Sequence, residues 1–275
     1  MICIYIRMVY IFMPSIMKSE KTIAISWILH AMKVVFGREK IRKDIIKTFY
    51  PSVKHSKYIR TFDAFQQYKK NPYTDKQNEI LDYCDYVSGK SHYVVFTASN
   101  IQKHAEDFET HYQSFLLDNF TKILYVINPS RDLKTENGYG IYEPEVTEEV
   151  LRPFFEKHGY IVQYIDLTHP AQVDTDDVFC QTWSLYILLE VLKRGVHVVD
   201  IPKTQKGKYE VLLGFYKRCL SDVPSVAKEL QREYKTAIKE NKTMIEDESG
   251  IDIKNIKSID VVDVVMNMQA KDMKA

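Results

Sequence analysis

Between Tyr93 and Leu167 the chain alternates short apolar runs with polar and turn residues. YVVFT (Tyr93–Thr97), YQSFLL (Tyr112–Leu117), ILYVI (Ile123–Ile127) and YIVQYIDL (Tyr160–Leu167) are β-branched and aromatic. Runs of this length and texture predict strands. The second and third are joined by Asp118, Asn119, Phe120, Thr121 and Lys122, short enough for a hairpin. A symmetric hairpin centred between Asn119 and Phe120 sets His111 directly opposite Asn128, where Cβ atoms stand roughly 5 Å apart. A helix over Thr147 to Lys157 precedes the fourth run, with Pro153 predicting a kink and Gly159 a C-cap.

The text DTDDVFCQTWSLYILLEVLKRG predicts the principal helix. Asp174, Thr175, Asp176 and Asp177 supply N-cap candidates, Lys193 and Arg194 fill the last turn, and Gly195 closes it. From Val178 to Leu192 the side chains are apolar on nearly every face, the pattern of a central helix buried on all sides. Cys180 lies in its first turn. There, unsatisfied N–H groups and the positive end of the dipole favour a thiolate over a thiol.

The ends read differently. Residues 1–17 and Thr22–Phe36 are apolar, but their longest uncharged runs are 10 and 11 residues. Both fall short of the roughly 18 that span a bilayer. With no A-x-A-like cleavage site, an amphipathic helix packed on the domain is expected, with no membrane span and no signal peptide. From Arg38 to Arg60, eight Lys/Arg stand against two Asp/Glu. Such a run is a solvated helix face first; contact with nucleic acid through it is the less favoured reading. After Ser221, Asp222 and Pro224 open a charged helical stretch and a polar tail. The expected organisation is an N-terminal helical extension over 1–90, a core over 91–220, and a C-terminal helix and tail over 221–275. The fold class is α+β: a small mixed or antiparallel sheet packed on the buried central helix, with added N- and C-terminal helices.

Composition changes this picture little. Thirty-eight Lys/Arg and 37 Asp/Glu leave a formal charge of +1 in 275 residues, which argues against a generally basic nucleic-acid binder. The four cysteines, Cys3, Cys84, Cys180 and Cys219, show no paired spacing. No disulfide scaffold or zinc site is expected, and the chain reads as the product of a reducing, intracellular compartment. No HExxH, GxxxxGK[ST] or GxSxG text occurs, so neither a metal nor another cofactor is expected.

A thiol at a helix start, facing a histidine held by an amide, is the outline of nucleophilic catalysis: one group ionises the other, and a third fixes the ring. Each residue also has a plain alternative. Cys180 fits as a small buried hydrophobe, His111 as an exposed strand end, and Asn128 as a turn starter before Pro129. His169 lies eleven residues before Cys180 with no paired orienter, and His92 starts a strand with no polar partner at hairpin spacing.

The order His111, Asn128, Cys180, carried by HYQSFLLD, ILYVINPS and DDVFCQTWSL, resembles the papain-like cysteine peptidases of the SUMO-protease and adenovirus-maturation-protease superfamily. DDVFCQTWSL also looks like proteins of large DNA viruses. The covered stretch runs from about Ser91 to Gly195. The resemblance implies Cys180 as nucleophile, His111 as general base and Asn128 as its orienter. It implies Tyr112, which follows the histidine, and Trp183, beside the nucleophile, as substrate contacts. An oxyanion-donating Gln usually stands shortly before the cysteine. Here the nearest is Gln172, two residues further upstream than usual, while Asp174 holds the expected place. The implied reaction is hydrolysis of peptide or isopeptide bonds in a protein substrate, either a viral structural protein or a ubiquitin-like conjugate, in the virion or the host cytoplasm. The alternative is a catalytically inactive binding or virion-structural protein on the same scaffold.

Overall fold

The structure is a computed structural model. It describes residues 32, 35–37, 39–49, 59–63, 81–82, 92–103, 108–130, 147–172, 179–195, 197–240 and 246. The chain divides into two compact units, Met1–Val35 with Val226–Ala275, and Phe36–Ser225. The amphipathic helix expected within residues 1–36 lies almost wholly outside the described residues.

In the second unit the elements run α1 (Glu39–Phe49), β1 (Ile59–Asp63), β2 (Tyr93–Lys103), β3 (Phe108–Asp118) and β4 (Ile123–Ile127). A wide π-type turn (Thr147–Leu151) leads into α2 (Arg152–Lys157), followed by β5 (Ile161–Tyr164), β6 (Asp166–Leu167), α3 (Cys180–Arg194), β7 (Val198–Val199) and α4 (Gln205–Asp222). A further helix, α5 (Pro224–Glu240), starts here and continues into the other unit. The fold is α+β. Five strands form one mixed sheet in the order β1-β2-β3-β4-β5, with β2-β3-β4 antiparallel and both outer pairs parallel. β6 and β7 form a separate parallel pair.

The pleat sorts side chains into two rows, as a period of two requires. Val94, Phe96, Phe115, Leu117, Leu124, Val126 and Val162 share one face and pack with Leu151, Phe155 and Tyr160 from the α2 segment. Phe96 stacks on Phe115 at 4.8 Å, and Phe155 meets Tyr160 edge-on at 5.6 Å. The other row begins at Tyr112, whose hydroxyl is met by Arg42 of α1. On that side α1 packs on α3 and α4, and α3 lies along β3. Arg42 is buried, so the basic run from Arg38 contributes at least one cation to packing rather than to a solvated face.

The helix stops follow the sequence. Gly195 takes the left-handed conformation after α3 (φ 62°) and Gly159 after α2 (φ 80°), where only glycine avoids a Cβ penalty. Pro153 stands in the first turn of α2, and the chain accommodates it with the wide turn that precedes the helix rather than with a bend inside it. Pro224 opens α5 as expected, but Asp222 closes α4 instead of capping the next helix. The N-cap of α3 is Phe179, which makes no side-chain cap bond; the expected candidates Asp174, Thr175, Asp176 and Asp177 lie outside the described residues. The helix starts at Cys180 itself.

Candidate active site

Cys180 is the first residue of α3, buried at 5% exposure, and forms no disulfide. Two features of its turn matter for a thiol. The cap residue offers no side-chain oxygen to the leading N–H groups, and the first turn contains no acidic residue. The positive end of the helix dipole lies at this end of α3 and favours negative charge there, whether on sulfur or on an oxygen bonded beside it.

Four residues on, Ser184 is fully buried, and its Oγ donates to the carbonyl of Tyr112 at 3.1 Å. That bond pins α3 to β3. Cys180 stands one helical turn before Ser184, about 6 Å along the axis at 1.5 Å per residue. His111 is the chain neighbour of Tyr112 and pairs with Asn100 of β2. The bond thus fixes α3 against β3 at the residue next to His111, one helical turn after the thiol.

The hairpin register corrects one expectation. Asp118 stays in the strand and pairs with Ile123, leaving a four-residue turn of Asn119, Phe120, Thr121 and Lys122. Its Oδ1 accepts from the backbone N–H of Phe120 at 2.9 Å and of Thr121 at 3.2 Å, and Lys122 takes a left-handed conformation (φ 58°). The last rung is Ser114 with Ile127. One step further places Asn128 beside Gln113, so His111 is not directly opposite Asn128 but two residues earlier in β3. Diagonal neighbours of this kind have Cα atoms roughly 7–8 Å apart.

Asn128 is buried, and its Oδ1 accepts from both the backbone N–H and the Oγ of Ser130, each at 3.1 Å. This is an Asx turn, the usual use of Asn before a proline turn. Because a backbone N–H can only donate, the turn also fixes which end of the amide is oxygen. Pro129 then accepts at its carbonyl from the N–H groups of Ala171 at 3.1 Å and Gln172 at 3.3 Å. Gln172 is buried and thus lies against the Asn128–Ser130 turn, despite standing eight residues before Cys180.

The two expected substrate contacts are placed differently. Tyr112 is half-buried; its hydroxyl donates to Thr97 Oγ1 at 2.9 Å, and the Arg42 guanidinium lies 5.6 Å from its ring centre. Trp183 is fully buried and packs edge-on against Tyr186 at 5.9 Å. As packed it is a core residue, because the third residue after an inward-facing Cys180 also turns inward.

At the far pole of the sheet His92 does have a polar partner, contrary to expectation. Its Nε2 lies 2.9 Å from Asp118 Oδ1, and its ring stacks on Tyr93 at 4.3 Å. Burial, with Asp118 adding to it, pushes the phenols of Tyr93 and Tyr125 above their ordinary range. His169 is half-buried in the loop before α3. Among the described residues no group of three or more His, Cys, Asp and Glu could hold a metal ion, and no helix is long and apolar enough to cross a membrane.

No protein-family model matches the chain, and no curated protein does. Among solved structures, ChlaDub1 of Chlamydia trachomatis is similar over 68% of this chain and 91% of its own, at 11% identity and a TM-score of 0.44. A second structure of ChlaDUB1 covers 74% and 90%, at 12% identity and a TM-score of 0.43. The Legionella pneumophila effector RavZ, in complex with human LC3B, covers 79% of this chain and 65% of its own, at 11% identity and a TM-score of 0.35. Likeness at this level assigns neither family nor activity to the chain.

Proposed function

We propose that the protein is a cysteine peptidase that cleaves peptide or isopeptide bonds, with ubiquitin-like conjugates as the substrate class. The reading is supported by the Ser184–Tyr112 hydrogen bond, which pins α3 to β3 at the residue next to His111, one helical turn after Cys180. The hydrogen bond from Gln172 N–H to the carbonyl of Pro129, directly after Asn128, supports it. Cys180 Sγ attacks the carbonyl carbon while His111 takes its proton, and the N–H groups at the helix start, with Gln172, receive the oxyanion. The tetrahedral adduct collapses to a thioester as the imidazolium gives its proton to the leaving amine. Water, deprotonated by His111, then releases the acid and restores the thiol.

Asn128 orients the imidazole only weakly, because both bonds from Ser130 fall on the oxygen that the ring would need. That same observation favours the second reading, a binding protein in which Cys180 is inert. A ubiquitin-like protein carrying a carboxy-terminal thiol-reactive group separates the two. The peptidase reading expects one adduct, mapped to Cys180, absent in Cys180→Ala and strongly slowed in His111→Ala. No adduct, or an adduct that survives Cys180→Ala, defeats it.

A further inference from the structure

Helix α4 begins on a tight cap. Thr204 Oγ1 accepts from the N–H of Gly207 at 3.2 Å, and a Cβ on Gly207 would stand 2.8 Å from that of Pro202. The cap thus fixes how α4 is rotated about its axis. Lys208 follows at once, and it is buried at 6% exposure. A cation there is unfavourable twice, at the positive end of the helix dipole and out of water.

The explanation lies across the fold. Lys208 Nζ donates to the carbonyl oxygen of Gln172 at 3.0 Å in a buried bond. Gln172 is the residue whose own N–H is held by Pro129, directly after Asn128. The next residue of α4, Tyr209, sets its ring edge-on to Phe179 with centres 6.4 Å apart, and its hydroxyl accepts from Gln205 at 3.4 Å. Phe179 is the N-cap directly before Cys180. Two consecutive residues of α4 therefore grip both ends of the approach to the candidate nucleophile. One reaches back to Gln172, itself held by Pro129 after the strand-end asparagine, and the other reaches forward to the helix start.

We propose that Lys208 and Tyr209 are positioning residues, a clamp that sets Gln172 and Cys180 in register with the Asn128–Ser130 turn. The proposal rests on the peptidase reading for its consequence in catalysis, but the clamp itself is a structural claim with its own readout.

The experiment compares the full chain with Lys208→Met, Lys208→Arg and Tyr209→Leu. Kinetics are read on a ubiquitin-like protein bearing a carboxy-terminal fluorogenic amide, and amide hydrogen exchange by mass spectrometry is read alongside. Lys208→Met is expected to lower kcat by about 10- to 100-fold with KM changed by less than about threefold, since a displaced oxyanion donor acts on the transition state. Exchange at 171–172 is expected to rise by about tenfold or more while the sheet stays protected. Lys208→Arg, which keeps a donor and the charge, is expected to restore both readouts to within about fivefold of the parent. Tyr209→Leu is expected to speed exchange at 179–184 and leave 171–172 unchanged. If Lys208→Met does not fold, the other two variants carry the test. Unchanged exchange at both ends of the approach overturns the clamp, and so does a loss spread evenly over the whole chain. If the parent shows neither turnover nor a Cys180 adduct, the peptidase reading falls, and the exchange data alone still decide for or against the clamp.

Discussion

Replacing Asn128 by Asp should increase activity. In the native turn Oδ1 accepts two hydrogen bonds from Ser130, so its two lone pairs are engaged, and the remaining end of the amide is a donor. A histidine that takes a proton from a thiol must give its other N–H to an acceptor. A carboxylate keeps one oxygen on Ser130 and turns the second toward the ring. A hydrogen bond to a charged partner contributes about 1.5–3 kcal/mol, which corresponds to roughly 10- to 150-fold in rate if it is made only once the imidazolium forms. The assay is kcat/KM on the fluorogenic ubiquitin-like substrate across pH 5–9 (about two units either side of the ordinary imidazole value), with the melting temperature measured alongside. The negative charge favours the imidazolium, so the variant's active thiolate–imidazolium pair should persist to higher pH than the parent's. A variant that melts like the parent but turns over no faster refutes the reasoning: Asn128 would then not face the imidazole.

Three other outcomes follow from the packing. Trp183→Ala removes a fully buried indole and should cost about 3–5 kcal/mol, lowering the melting temperature by on the order of 10 °C; a loss of activity without a loss of stability would instead return Trp183 to the substrate surface. Burial pushes the Cys219 thiol well above the usual range, so the folded chain keeps that proton while the unfolded chain loses it. Stability from this group is intact below about pH 8.5 and falls above it, by up to about 1.4 kcal/mol per pH unit, and Cys219→Ser should flatten that slope in denaturant titrations. Asp118→Ala takes an acceptor from two turn N–H groups and a partner from His92, and should cost about 1–3 kcal/mol by chemical denaturation; a neutral result would mean water replaces the carboxylate.

Much of the core was legible because period and length agree there. ILYVI forms the predicted strand at Ile123–Ile127, and the all-apolar helix ends at Gly195 as its sequence says. The register was not legible, since it turns on one side chain. Asp118 bonds the turn from within the strand, which moves the centre of the hairpin by one residue and the partner of His111 by two. Cys180 stands in the first turn of α3 as its sequence says, but the cap, Phe179, carries no cap-forming side chain and so gives no signal in the sequence. Helix α4 went unread, although Thr204 before Gln205 and the spacing of Leu212, Leu213, Phe215, Tyr216, Cys219 and Leu220 carry its signal. Lys208 and Tyr209 carry no signal of their own apart from that helix. The position of Gln172 could not be read either: it depends on backbone bonds to Pro129, which no residue pattern encodes.

The central claim is that His111 ionises Cys180, and the rate of iodoacetamide alkylation at Cys180 against pH tests it most directly. The account predicts a midpoint well below the ordinary thiol value of about 8.5 in the native protein, moving up to that value or beyond in His111→Ala. A midpoint at or above about 8.5 that His111→Ala leaves in place would contradict it.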